Sequence, residues 1–140
     1  MKKNTDNLGQ DLMSTPDLDQ FLAQHDGTFQ NCSVAEYIDA LFQVKSVTKS
    51  NLAKRSAMSE VYLHQVFSGR RNPSRNRLLC LCFGLSASLE ETQTLLKQCG
   101  YAQLYPKNRR DAIIIYGILH NEDLFDINDK LYTENEESLF

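Results

Sequence analysis

Residues 48–77, TKSNLAKRSAMSEVYLHQVFSGRRNPSRNR, decide the fold. Thr48 is placed to cap a short helix bearing Leu52 and Ala53, and that helix must stop at Ala57-Met58 because Ser59 caps a new one. Two short helices joined by a turn of three or four residues form the helix-turn-helix pattern. The second helix, about Glu60 to Phe67, puts Leu63, Val66 and Phe67 on one face and leaves Glu60, Val61, Tyr62, His64 and Gln65 freer to point away.

Outward from this stretch the chain reads as helix after helix. Upstream, Ser33 and Glu36 have the spacing of a capping box ahead of Val34, Ile38, Leu41 and Phe42, an apolar stripe of helical period. Further upstream, Thr15 as cap and Pro16 at the first helical position open a short helix carrying Leu18, Phe21 and Leu22, which ends near Asp26-Gly27. Residues 1–13 lack periodicity and read as a loose leader. Downstream, Ser74 and Ser88 start two more helices, the second with Glu91 in capping-box position and Gly100 as its C-terminal stop. After Pro106, Asn108 caps a helix through Ala112, Ile113, Tyr116 and Leu119, and Asp123 caps another through Leu124, Ile127 and Leu131. Shifted by 35 residues, segment 71–105 lies over 106–140, pairing Leu78-Leu79 with Ile113-Ile114, Leu89 with Leu124 and Leu96 with Leu131. A duplication and the shared spacing of any two helical hairpins both fit this match.

Only three prolines and six glycines in 140 residues disfavour a sandwich or barrel, which needs frequent turns, so the expected class is all-α. No window approaches 18 uninterrupted apolar residues and Met1-Lys2-Lys3 leads into polar residues, which points to a soluble, cytoplasmic protein. Four cysteines, Cys32, Cys80, Cys82 and Cys99, contain no C-x-x-C, and on a helix Cys80 and Cys82 point about 200° apart. Buried reduced thiols are the reading, with no metal site. His25 and His120 have no Cys or His at ligand spacing. The chain offers no G-x-S-x-G, no G-x-x-x-x-G-K and no H-E-x-x-H, so neither an enzyme nor a cofactor is expected.

Charge is segregated. Residues 45–77 hold eight Lys and Arg against Glu60 alone, a local +7 that leaves −10 for the rest of a chain of net −3. Seven acids against Lys130 lie between Asn121 and Phe140. A one-signed surface of this size seeks anions. The exposed set on helix 60–67 mixes hydrogen-bonding and apolar groups, as suits base edges in a DNA major groove.

In the order Thr48, Leu52-Ala53, Ala57-Met58-Ser59, Leu63, Val66-Phe67-Ser68-Gly69, Asn72-Pro73-Ser74, Leu78-Leu79, Leu81, Leu85 and Ser88-Leu89, the chain resembles the lambda-repressor-like, or Xre-type, helix-turn-helix domains. The resemblance implies a helical bundle over 14–105 with its core in 33–99, here with an extra N-terminal helix and a C-terminal hairpin, 106–140, as dimer or partner element. It also implies a sequence-specific, dimeric regulator of transcription that binds double-stranded DNA. By position, Ser59, Glu60, Val61, Tyr62, His64 and Gln65 would read bases, with Gln65 suited to adenine and Glu60 to the cytosine amino group. Lys49, Arg70, Arg71, Asn72 and Arg75 would hold phosphates. Six to eight charges neutralised by a dimer imply affinity falling about 10³-fold between 50 and 200 mM salt. Where the family usually has Gly in the turn, this chain has Ala57. The alternative is an interaction adaptor that keeps the fold without reading DNA, favoured by Glu60 and by the acidic C-terminal segment as a contact for a protein partner.

Overall fold

The computed structural model describes residues 10, 13, 17–20 and 33–140. Residues 18–20 are helical, whereas Asp17, which a cap at Thr15 would place inside the helix, is not, and its Oδ1 accepts from the Asp19 amide at 3.0 Å; Thr15, Pro16, Phe21, Leu22, the stop at Asp26-Gly27, His25 and Cys32 lie outside the described residues. Gln10 and Met13 have helical backbone, where the sequence suggests a loose leader. Residues 33–140 form one compact unit of seven helices: α1 Val34–Gln43, α2 Lys49–Arg55, α3 Glu60–Phe67, α4 Arg75–Gly84, α5 Leu89–Gln98, α6 Arg109–Leu119 and α7 Leu124–Thr133. No strand occurs among the described residues, and no described helix is long and apolar enough to cross a membrane.

Side-chain caps start every one of these helices. Ser33, Thr48, Ser59, Ser74, Ser88, Asn108 and Asp123 each accept from the amide three residues on, satisfying one of the donors that a helix N-terminus orphans. Ser88 and Glu91 complete a reciprocal box; at Ser33 the Glu36 carboxylate instead faces the serine hydroxyl at 3.4 Å. The ends of α2 to α7 share one closure, in which a left-handed residue follows the cap and two amides return to the last turn. After α2, the Ala57 amide donates to Lys54 O at 3.3 Å and the Met58 amide to Ala53 O at 3.0 Å. The left-handed residues are Ala57, Gly69, Ser86, Gly100, Asn121 and Asn135, of which only two are glycine. Ala57, at φ 55°, adopts the conformation that glycine would adopt without strain.

The core runs through the whole unit. Ile38, Leu52, Leu63, Leu78, Leu79, Leu81, Leu96, Ile114, Leu124, Ile127 and Leu131 are fully buried, so a boundary at 105/106 cuts a common core rather than a linker. Helix α4 is apolar on every side from Leu78 to Cys82 and packs against α2, α5 and α7. Its Cys80 and Cys82 thiols are buried, and desolvation pushes them up to about 11 and about 12 respectively. Gly84 lets α2 approach α4: a Cβ there would stand 2.0 Å from Ser56 Oγ and 2.8 Å from Leu52 Cδ1.

The 35-residue match extends to individual hydrogen bonds. Gln93 Oε1 accepts from Leu104 N at 2.7 Å, and Asn128 Oδ1 accepts from Leu139 N at 2.6 Å, each amide clasping the buried leucine that follows its helix pair. Arg75 donates from Nε to Ala102 O and from Nη2 to Gln103 O; Arg110 donates likewise to Glu137 O and Ser138 O. All five positions on one side lie 35 residues from their counterparts on the other. Arg75 further reaches Asp111 Oδ2 at 3.3 Å, and Arg110 reaches Asn76 Oδ1, the counterpart of Asp111, at 3.0 Å. Each half thus contacts the other reciprocally, and α4 packs on α7 as α5 packs on α6, which is the pattern of a local two-fold relation.

Candidate nucleic-acid interface

Helix α3 is seated by Leu63 and Val66, both buried, with α1 on one side and α2 on the other. Its period therefore sends Ser59, Glu60, Val61 and His64 outward, and all four are exposed. Val61 is 69% exposed, an apolar side chain standing among polar ones. Tyr62 and Gln65 are half-buried at the edge of this face. The Tyr62 ring lies under two guanidiniums, with Arg77 5.2 Å and Arg71 5.9 Å from its centroid. Glu60 occupies the first turn, where the positive end of the helix dipole favours a carboxylate. Lys49, Ser50, Glu60, Val61, Leu63 and His64 line an open groove of about 480 Å³ between α2 and α3.

The segment after α3 is tied back onto it. Gln65 O accepts from Ser68 Oγ at 3.1 Å, Arg70 N at 3.0 Å and Arg71 N at 3.2 Å, a reversal made possible by Gly69 at φ 81°. Tyr101 Oη donates to Pro73 O at 2.6 Å and fixes the other end of the loop. Between these anchors Arg70, Arg71 and Asn72 are exposed. Lys49 is exposed at the start of α2 and rests on an edge-to-face aromatic pair, its Nζ 4.8 Å from the Phe67 ring and 5.9 Å from that of Phe42.

Arg75 stands apart from the other residues expected to hold phosphates. The Ser74 cap turns it into α4, where its guanidinium is committed to Ala102 O, Gln103 O and Asp111, so it fastens α4 to the downstream half instead of facing outward with Lys49 and Arg70. Arg77, which the spacing does not single out, belongs to the edge of the α3 face through Tyr62. Among the described residues, the acidic C-terminal segment pairs with Arg109 and Lys130 through Glu134 and Glu136, not with the cations around α3.

On α6 and α7 a second surface stands open, a groove of about 670 Å³ lined by Arg109, Ile113, Tyr116, Asp126, Ile127 and Lys130 among others. Tyr116 is 55% exposed and stacks on His120 with ring centroids 3.8 Å apart; Leu119 beside it is 59% exposed. Their counterparts 35 residues earlier, Leu81 and Gly84, are buried. Helix α2 lies against that side of the first half, whereas nothing among the described residues covers the second.

The chain matches no protein-family model, and no curated protein or solved structure matches it.

Proposed function

We propose that residues 33–140 are a lambda-repressor-like helix-turn-helix domain that binds duplex DNA as a homodimer and regulates transcription. The observation that carries this reading is the bare outer face of α3, with Ser59, Glu60, Val61 and His64 exposed together, flanked by exposed Lys49 and Arg70. In the major groove this face offers Glu60 as acceptor for a cytosine amino group and Val61 as apolar contact for a thymine methyl. Lys49, Arg70, Arg71 and Asn72 hold the backbone and set the register.

Dimerisation is proposed through the outer side of α6 and α7, where Tyr116 and Leu119 replace positions that the first half buries. Two subunits then present their α3 helices to half-sites about 34 Å apart. With Arg75 committed internally, three cations per subunit, Lys49, Arg70 and Arg71, remain for phosphates, six in a dimer. The expected loss of affinity between 50 and 200 mM salt therefore stays at about 10³-fold.

Fluorescence anisotropy with duplex DNA at several salt concentrations tests the reading, and solution mass tests the dimer. Salt-sensitive binding that prefers some sequences supports a regulator. Absence of binding to any duplex at 50 mM salt supports the adaptor instead. Leu119→Glu should convert a dimer to a folded monomer; a wild-type chain that is already monomeric removes the dimer.

A further inference from the structure

We infer that Gln65 and Arg71 act as one donor-only unit that reads a guanine; this rests on the DNA-binding reading above. Arg71 Nε donates to Gln65 Oε1 at 2.8 Å. Arginine has donors and no acceptor, so this bond fixes which way the Gln65 amide points: its oxygen faces the guanidinium and its NH₂ faces away. The bond is built into the loop, because the Arg71 amide already sits 3.2 Å from Gln65 O and the Arg71 guanidinium lies over the Tyr62 ring. Arg71 is therefore folded along the edge of α3 beside the base-facing residues.

Adenine presents an acceptor and a donor in the major groove and needs a free amide with both functions; guanine presents two acceptors, N7 and O6. Gln65 Nε2 and the Arg71 Nη groups supply donors alone, and an adenine amino group brought to Gln65 Oε1 would meet the guanidinium already there. The pair thus favours guanine where Gln65 alone would suit adenine. Arg71 becomes a residue that discriminates bases, and its charge is no longer its main contribution.

The test starts with selection of duplexes from a randomised library by the full chain, followed by anisotropy on the winning sequence and on the same sequence with 7-deazaguanine, which lacks the N7 acceptor. The expected result is an invariant guanine whose replacement by 7-deazaguanine weakens wild-type binding about tenfold. Arg71→Ala and Gln65→Ala should each bring that ratio close to one, and the double variant should lose no more. Arg71→Lys keeps the charge without the Nε fork, so it should retain the salt slope and still fail to discriminate. An adenine at that position, or Arg71→Ala weakening every duplex alike with the guanine preference intact, overturns the inference and leaves DNA binding standing. Failure of the wild-type chain to enrich any duplex overturns the DNA reading, and the guanine assignment with it.

Discussion

Gly84→Ala tests the seat on which α2 rests. The added methyl would lie 2.0 Å from Ser56 Oγ, 2.8 Å from Leu52 Cδ1 and 3.2 Å from Ser56 Cβ, in a region where Ser56 and Leu52 are fully buried. Overpacking of this kind costs about 1–3 kcal/mol, and contacts this short belong at its upper end. Alanine in place of a helical glycine returns about 1 kcal/mol, leaving a net loss of about 2 kcal/mol. Ser56 Oγ has no hydrogen-bond partner among the described residues, so Ser56→Ala alone should be neutral or stabilising by up to about 1 kcal/mol. Combining the two relieves the shortest contact, and the double variant should be more stable than the sum of the singles by about 1 kcal/mol. Urea unfolding measures this through a lowered midpoint at constant slope. A Gly84→Ala protein at least as stable as wild type, or strict additivity with Ser56→Ala, would refute the close α2–α4 approach.

Ala57→Gly should stabilise the chain by about 0.5–1 kcal/mol, since glycine occupies φ 55° without the left-handed penalty; a lower urea midpoint contradicts the turn geometry. The Lys45 ammonium 2.7 Å from Glu91, followed by the Ser88 amide, holds the Glu91 carboxyl below the usual range. A depressed folded value contributes stability above the ordinary carboxylate pKa that is lost as pH falls through the folded one, so Lys45→Met should flatten the acid side of a melting-temperature profile; an unchanged slope argues against the pair. At pH 8, Cys80 and Cys82, raised to about 11 and about 12, should resist a thiol reagent until the protein unfolds, and rapid labelling of either in the native state contradicts their burial.

Helix starts were the most legible part of the chain, because a serine, threonine, asparagine or aspartate satisfies the first turn locally and all seven caps do so where the spacing places them. Helix ends were less so. Gly100 announces its turn, while Ser86, Asn121 and Asn135 make the same closure without glycine. Gly84 did carry a signal, since glycine inside a helix is unfavourable and persists where another backbone comes close. At the interface, the outward residues of α3 follow from period alone. The fate of Arg75 does not, because its partner Asp111 lies 36 residues away and the basic run around it suggests solvent and phosphate. The Gln65–Arg71 bond spans six residues across a left-handed glycine, a distance over which spacing says nothing about side-chain direction. The 35-residue match was visible as apolar spacing, but only the paired clasps of Gln93 with Asn128 and Arg75 with Arg110 distinguish it from generic hairpins.

Amide chemical shifts of the ¹⁵N-labelled full chain, followed during titration with duplex DNA, test the central claim most directly. The account predicts changes concentrated at Ser59–Gln65, Lys49 and Arg70–Asn72, with α6 and α7 little affected by the DNA. Changes confined to Tyr116, Leu119 and their neighbours, or a spectrum that DNA leaves unmoved at low salt, would contradict it.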